Sequence, residues 1–156
     1  MEKLKKVTGT WRGKYSYDPS CYGEQQPVSF TLKLKQRWFG RFTGTVTDDS
    51  PGGMPDAGSI VGYFSFPKIE FTKQMPICYV QSKDGGLIRF RDYLAQEGHA
   101  SERDFRHPPI FYTGEFSASN RAQGTWIIKE YPVVLPSGAS LGSGPATGTW
   151  TLDLGL

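Results

Sequence analysis

The chain has 156 residues and a mass of 17.4 kDa, which is the size of one domain rather than two. Its residues are 37% hydrophobic and 14% aromatic, so enough large side chains are available for a folded core, and disorder is excluded. The net charge of +3 is too small to indicate a nucleic-acid-binding face, and no apolar run approaches the about 20 residues of a membrane-spanning helix.

Alternating apolar and polar residues predict short β-strands in the first half of the chain, because successive side chains of a strand point to opposite faces. The segment Asp48–Ala57 is rich in Gly, Pro and Asp and is predicted to be a loop between the third and fourth strands. The five strands predicted here are Thr8–Tyr17, Val28–Gln36, Arg41–Thr47, Gly58–Phe66 and Lys68–Thr72.

The second half of the chain is less regular. A weaker strand is predicted between Gln74 and Gln81, and the turn sequence Lys83–Gly86 predicts a hairpin that leads into a strand over Leu87–Tyr93. The polar segment Ala95–Pro109 breaks the alternation and is predicted to be a loop with room for a helical turn. The last predicted elements are strands over Ile110–Ser117, Asn120–Glu130 and Ala146–Leu154, with a loose Gly-, Ser- and Pro-rich stretch over Tyr131–Pro145.

These elements predict an all-β protein with eight to ten antiparallel strands and little or no helix, in a single domain over residues 1–156. An up-and-down meander that closes into a barrel leaves no exposed strand edges, so we favour it. A sandwich of two sheets stays the alternative. The first and last strands carry the same Gly-Thr-Trp sequence, and we expect them to pair.

The Gly-Thr-Trp sequence occurs at residues 9–11, 124–126 and 148–150. A Gly and a bulky residue two positions later point to the same side of a strand, which is typical of barrel-corner glycines beside core aromatics. The opening GTWRGKY and the closing GTWTLDL resemble calycin-type up-and-down barrels: lipocalins, avidins, fatty-acid-binding proteins and nitrobindin-like domains. The resemblance implies the architecture of a single up-and-down barrel.

The resemblance does not identify a ligand. Nitrobindin-like domains hold haem through a histidine near the C-terminus, and this chain has no histidine after His107. Lipocalins usually pack a basic residue near the chain's end over the first-strand Trp, and this chain has no Lys or Arg after Lys129. The polar set with which avidins bind biotin does not map onto these strands. We therefore expect no cofactor.

The predicted inward faces are rich in rings and nearly free of charge, with Lys73 and Glu130 near strand ends as exceptions. An eight-stranded barrel is just wide enough to be filled by side chains or to hold one small ligand. Six glycines share these faces and leave room: Gly13, Gly44, Gly62, Gly114, Gly124 and Gly148. We therefore expect a small hydrophobic or aromatic ligand, oriented by tyrosine hydroxyls. The predicted lining residues are Trp11, Tyr15, Tyr17, Phe30, Phe42, Phe64, Phe66, Tyr112, Phe116, Trp126 and Trp150.

Acid–base or metal chemistry has one candidate segment, Glu97–His107, which holds both histidines and three carboxylates. Its spacing matches no catalytic or metal-binding motif, so we interpret it as an exposed charged loop with both imidazoles facing solvent. Asp48, Asp49 and Asp56 are interpreted as turn-forming residues. No metal site and no catalytic residue are predicted, and enzyme activity stays open without being favoured.

The alternative function is that of a filled barrel that acts as a protein-interaction or structural module through its exterior and loops. Trp38, predicted at an exposed hairpin tip, supports it, and a homo-oligomer stays open. Outward basic residues such as Lys33 and Arg89 alternate with Ser, Thr and Glu70, as on ordinary barrel exteriors, so no nucleic-acid partner is expected.

No apolar segment follows the basic start MEKLKK, so a secretory signal is not predicted and a cytoplasmic location is expected. A reducing compartment disfavours a disulfide between Cys21 and Cys78, and their separation excludes a CxxC zinc motif.

Overall fold

The computed structural model describes residues 3–19, 26–49, 53–81, 87–99, 104–129, 131–134, 140–143 and 145–155. Buried and exposed side chains alternate along most of these ranges, and such segments form strands. A short helix interrupts this pattern. The elements are β1 (Gly9–Tyr17), β2 (Val28–Gln36), β3 (Arg41–Asp48), β4 (Gly58–Ser65), β5 (Lys68–Gln74), β6 (Tyr79–Gln81), β7 (Leu87–Arg89), α1 (Phe90–Gln96), β8 (Ile110–Ala118), β9 (Arg121–Ile128), β10 (Tyr131–Val134), β11 (Ser140–Ser143) and β12 (Ala146–Leu154).

Eight strands form a closed antiparallel barrel in the order β1-β12-β9-β8-β5-β4-β3-β2. Each barrel strand pairs with its neighbour in chain order, so the prediction of an up-and-down barrel rather than a sandwich is confirmed. β1 closes the barrel by pairing with β12, with Trp11 opposite Leu154 and Tyr15 opposite Trp150. The expected pairing of the first and last strands is therefore confirmed.

The strand predicted over Leu87–Tyr93 is wrong beyond Arg89, because α1 begins at the next residue. Phe90 and Leu94 lie one helical turn apart and form a small apolar cluster with Phe105. This spacing of four buries one face of a helix, and it outweighs the short alternation that predicted a strand.

The stretch Tyr131–Pro145, predicted to be loose, contains a second hairpin in which β10 pairs with β11. Tyr131, Val133 and Val134 have high β-propensity, which the surrounding Gly, Ser and Pro obscured. The predicted hairpin around Lys83–Gly86 agrees with the pairing of β6 and β7, although residues 82–86 themselves lie outside the described residues.

The two ends of the barrel differ in how their strands are connected. At one end, which we call the hairpin end, residues 37–40, 66–67 and 119–120 join neighbouring strands. At the other, the loop end, the connections are residues 18–27, 49–57, 75–109 and 129–145. The hairpin β6–β7, α1 and the hairpin β10–β11 all belong to these longer connections.

The repeated Gly-Thr-Trp motifs of β9 and β12 pair with each other. Trp126 lies opposite Gly148, and Trp150 lies opposite Gly124. A Cβ atom added to Gly148 would stand 2.5 Å from the Trp126 ring, and one added to Gly114 would stand 2.6 Å from the Trp150 ring. The glycines therefore accommodate neighbouring rings, and the interpretation of the motif as structural agrees with this packing.

The buried indoles also form hydrogen bonds with the barrel wall. Trp126 Nε1 donates to the Ser16 carbonyl at 3.1 Å, and Trp150 Nε1 donates to the Thr125 carbonyl at 3.0 Å. At the hairpin end, Trp11 Nε1 donates to the Val7 carbonyl at 2.8 Å. Buried N–H groups thus have acceptors, and each ring orientation is specified by a neighbouring backbone segment.

The hairpin between β2 and β3 turns at Phe39 and Gly40, both of which have positive φ, +55° and +79°. The Arg41 N–H donates to the Trp38 carbonyl, as in a type I′ turn, where Asn-Gly is the preferred pair. A bulky residue in the left-handed region costs about 1–2 kcal/mol, and the Phe39 side chain is 91% exposed. The Phe39 ring is therefore not buried enough within this chain to offset the conformational cost of its positive φ.

Candidate functional site

The barrel interior contains an ion pair at the loop end. Lys73 Nζ lies 2.8 Å from Asp48 Oδ1, and the two side chains are 2% and 0% exposed. Asp48 is the last residue of β3, and Lys73 is the penultimate residue of β5, so β4 lies between their strands. Desolvating two charges can cost as much free energy as their attraction returns, so such a pair is weak evidence of a role in stability alone.

The Asp48 carboxylate has three hydrogen-bond donors. Besides Lys73, the Tyr15 hydroxyl donates to Oδ2 at 3.3 Å, and the Met54 backbone N–H donates to the same oxygen at 2.9 Å. Met54 belongs to the connection 49–57, so this contact ties a loop-end connection to the barrel interior. The prediction of Asp48 as a turn-forming loop residue is therefore wrong: it ends a strand, and its side chain points inward.

The Lys73 ammonium group lies beside two aromatic faces. Its Nζ is 4.7 Å from the centre of the Tyr15 ring and 5.5 Å from that of Phe30, both within cation–π range. An ammonium has three N–H donors, and among the described residues its hydrogen-bond acceptor is Asp48. The remaining donors are directed into an aromatic environment from which water is largely excluded.

Burial shifts the pKa values of the groups around this pair. Desolvation lowers the pKa of Lys73, while the adjacent Asp48 carboxylate acts in the opposite direction. Burial, followed by the charge of Asp48, raises the pKa of Tyr15 and of Tyr112 well above 10. Both tyrosines therefore keep their hydroxyl protons at neutral pH and are available as hydrogen-bond donors.

His107 is also buried at the loop end, which corrects the prediction that both imidazoles face solvent: His107 is 8% exposed, whereas His99 is half-buried. The side-chain N–H of Gln74, the last residue of β5, donates to the His107 carbonyl at 2.5 Å and holds this segment against the barrel. His107 Nδ1 lies 2.6 Å from the Pro108 carbonyl, which can only accept, so Nδ1 carries the proton.

Burial lowers the pKa of His107, and the Lys73 charge adds to this effect. The neutral ring therefore has Nε2 as its acceptor atom near pH 7. Residues 100–103 of the predicted charged loop lie outside the described residues.

The eleven predicted lining residues all lie among the core residues of the barrel, nine of them buried and Tyr17 and Phe66 partly buried. Most of their rings fall into two groups of contacts, one around Trp126 and Tyr15 and one around Phe116. At the loop end, Tyr17 meets Trp126 edge-on with ring centres 5.1 Å apart, and at the hairpin end Phe64 meets Phe116 at 5.5 Å. Whether they line a ligand site remains a prediction.

The sequence-based list of site residues missed Asp48, Lys73 and His107, and it also missed Phe71, whose ring stacks on that of Tyr112 at 4.6 Å. A signal for two of them was present in the alternation. On β5, Lys73 has the same parity as the buried Ile69 and Phe71, and on β3 Asp48 continues the parity of Phe42 and Val46. No such alternation surrounds His107, which lies between α1 and β8 in residues 104–109, outside the helices and strands.

The outside of the barrel carries a shallow groove of about 580 Å³. It runs over β4, β5, β8 and β9, and the outward side chains that line it are Tyr63, Ser65, Lys68, Glu70, Thr113 and Glu115. Lys68 and Glu115 are directly paired across β5 and β8. This surface combines small and charged groups, and its chemistry is that of an open polar face rather than an enclosed ligand site.

Three further features concern the cysteines, metal-binding side chains and membrane-spanning helices. Burial raises the pKa of the half-buried Cys78 thiol to about 11, so it is protonated near neutral pH, and Cys21 lies outside the described residues. Within the described ranges, no three His, Cys, Asp or Glu side chains are arranged to hold a metal ion. The same ranges hold no helix with the length and apolar character needed to cross a membrane.

No protein-family model matches this sequence, and the search of curated proteins found none similar to it.

Proposed function

We propose that this protein is a calycin-like barrel, a single domain over residues 1–156, that binds a small hydrophobic or aromatic ligand at the loop end of its interior. The observation that carries the proposal is the buried ion pair of Lys73 and Asp48, beside two aromatic rings in an interior built mainly of apolar side chains. A charged pair in such a place is costly to retain for stability alone, and perturbed groups of this kind concentrate at binding sites.

The ion pair favours a ligand that is neutral and carries a hydrogen-bond acceptor. Lys73 and Asp48 compensate each other's charge, so an additional carboxylate would bring an uncompensated charge into a poorly solvated interior. A carbonyl or ether oxygen, in contrast, accepts from the remaining ammonium donors without changing the net charge. The Tyr15 hydroxyl, which stays protonated, positions Asp48 and thereby Lys73.

The apolar part of the ligand would contact the rings at the same end of the barrel. Tyr15, Tyr17 and Trp126 meet there edge-on, with Tyr15 and Trp126 centres 6.3 Å apart. A flat guest would enter edge-to-face contacts of the same kind with these rings. This end also contains Lys73 and Asp48, so the polar and apolar parts of the ligand would be bound together.

The test is a binding titration with a matched panel of probes: aromatic and aliphatic ketones, and fatty acids of the same chain lengths. Binding is followed by the fluorescence of the buried indoles in a Trp38→Ser background, since Trp38 is 84% exposed and would report events outside the barrel. We expect ketones to bind more tightly than the matched acids. Native mass spectrometry of freshly purified protein checks for a copurified neutral compound.

The double variant Lys73→Met/Asp48→Asn separates binding from stability. Replacing both charges of a buried pair is often neutral or stabilising, so we expect a folded barrel that has lost ketone binding. The control is Arg121→Met/Asp153→Asn, which removes an exposed pair with a separation of 3.1 Å at the hairpin end. If the double interior variant binds the probes as well as the parent protein does, the ion pair is not the binding site.

The second candidate function is that of a filled barrel that acts through its exterior and loops. It is favoured by the packing of rings against the inward glycines: a Cβ at Gly13 would stand 2.6 Å from the Phe30 ring, as one at Gly114 would from Trp150. The room that these two glycines were expected to leave is thus occupied by aromatic side chains. Failure of every probe to bind or to raise the unfolding temperature would favour this function over ligand binding.

A further inference from the structure

The hairpin between β2 and β3 projects two aromatic rings into solvent. Trp38 is 84% exposed and Phe39 is 91% exposed, whereas Trp11, Trp126 and Trp150 are buried. Because Phe39 occupies a type I′ turn position that Asn or Gly fills without strain, the ring is present despite its conformational cost. We call these two residues the aromatic tip.

Two chain segments beside the aromatic tip are basic, with Asp153 of β12 opposite one of their cations, Arg12. Arg37 and Arg41 flank it directly, and residues 33–47 contain no Asp or Glu. The N-terminal segment lies beside the same hairpin, because the Gln36 N–H donates to Thr8 Oγ1 at 2.9 Å and the Val7 N–H donates to the Gln36 side chain at 3.2 Å. Residues 3–14 also contain no carboxylate, and the exposed cations of the two segments are Lys3, Lys5, Lys6, Arg12, Lys14, Lys33, Lys35, Arg37 and Arg41.

The shape of the aromatic tip favours a lipid surface over a protein partner. Two aromatic side chains bury about 150–250 Å² each, so the tip contributes roughly 300–500 Å². A stable protein–protein interface needs about 1,000 Å² and a complementary concave surface. A fluid headgroup layer adapts to a convex tip, and Trp with flanking cations is typical of residues that anchor at anionic membrane interfaces.

We propose that the aromatic tip docks this protein onto an anionic lipid surface, with Trp38 and Phe39 inserted among the headgroups and the surrounding Lys and Arg residues bound to lipid phosphates and carboxylates. The docking gives the second candidate function a specific partner, and it does not depend on ligand binding inside the barrel. The loop end then faces away from the membrane, because the tip lies at the opposite end of the barrel wall.

The test is flotation of the full chain with phosphatidylcholine vesicles, with and without phosphatidylserine. We expect binding to the phosphatidylserine vesicles, weakening as sodium chloride is raised, because the cations act through a screened charge interaction. Trp38 fluorescence should shift to shorter wavelength on binding, since the other three indoles are already buried.

The variant Phe39→Asn removes one ring while supplying the residue that this turn prefers, so it should fold at least as well as the parent protein. We expect it to lower the vesicle partition coefficient about tenfold or more. Ile127→Thr is the control, because Ile127 is an exposed apolar residue on β9, away from the tip. It should leave partitioning unchanged.

Three results would overturn the proposal: no partitioning of the parent protein, partitioning that Phe39→Asn leaves unchanged, or a concentration-dependent dimer in light scattering that Phe39→Asn abolishes. The last result would identify a second copy of the chain as the occupant of the tip. Vesicle binding by Lys73→Met/Asp48→Asn tests independence from the interior site: retained binding supports the docking, whereas loss would show that the tip does not act alone.

Discussion

The two ends of this barrel contrast in chain length and in chemistry. At the hairpin end, short turns join the strands, and the buried Trp11 donates its indole N–H to Val7 within an apolar layer. At the loop end, Lys73, Asp48 and His107 bring charged and titratable groups into the interior, and the Met54 N–H of one connection donates to Asp48. The difference indicates that one end mainly closes the core, while the other buries polar groups that the proposed ligand would contact.

The contrast extends to the exposed residues. At the hairpin end, the aromatic residue Phe39 lies on a turn outside the barrel and is nine-tenths exposed. At the loop end, the charged residues Lys73 and Asp48 lie inside the barrel as an ion pair that is almost completely buried. Substitution of buried polar contacts at either end should therefore lower the free energy of unfolding, whereas substitution of the exposed Phe39 should raise it.

The largest effect is expected for Lys73→Met, which leaves the Asp48 carboxylate buried without its cation. We expect a loss of about 3–5 kcal/mol of unfolding free energy, because an uncompensated charge remains in the interior. The measurement is urea denaturation followed by circular dichroism. Arg121→Met, in an ion pair that is more than half exposed, should cost no more than about 1 kcal/mol. Equal losses in the two variants would mean that the interior pair is hydrated.

A smaller loss is expected at the hairpin end for Trp11→Phe. The substitution leaves the buried Val7 carbonyl without its donor, which should cost about 1–3 kcal/mol. The exposed Trp38→Phe is the matched control and should change the unfolding free energy by less than about 0.5 kcal/mol. A near-zero effect of Trp11→Phe would show that the N-terminal segment does not close this end.

The third prediction concerns pH and His107. Its folded-state pKa is lowered below the ordinary value of 6.5, so the unfolded chain takes up the proton first as pH falls. Stability from this group is present above about 6.5 and decreases as pH falls toward the folded pKa, with a slope of at most about 1.4 kcal/mol per pH unit.

The test compares the parent protein with His107→Asn in urea at pH ~7 and ~5.5, on either side of the ordinary histidine pKa. Asn keeps an N–H donor near the position of Nδ1 but does not titrate. The variant should show a flatter pH dependence over this interval, and an unchanged dependence would assign the acid sensitivity to other groups.

The smallest effect should have the opposite sign. Phe39→Asn relieves the left-handed strain of a bulky residue and should stabilise the protein by about 1 kcal/mol. Phe39→Ala, which keeps the strained position but removes the ring, should stay near the parent value. If Phe39→Asn is destabilising in thermal denaturation, the ring has a structural role and its exposure is not a sign of external binding.

Much of the fold could be predicted because the barrel wall depends on a local pattern. In β2, Val28, Phe30, Leu32 and Leu34 alternate with polar residues, and this period is enough to specify which face is buried. The pattern failed at Phe90, where α1 begins, because the alternation of residues 87–91 overlaps there with the spacing of four between Phe90 and Leu94.

The candidate site could be predicted only in part. The rings were identifiable from parity, and the same parity placed Lys73 inside, but its partner was assigned to a loop because Asp is a common turn former. The contact between Lys73 and Asp48 joins strands separated by β4, so it depends on barrel closure rather than on neighbouring sequence.

Spacing within one strand or one turn is enough to predict the period-two strands, the inward rings and glycines, the exposed Trp38 and the antiparallel meander. The packing of Trp126 on Gly148, the contact of Lys73 with Asp48 and the burial of His107 are visible only in the folded barrel. These contacts depend on register and closure, which bring together residues from distant parts of the chain, and burial then determines their charge states.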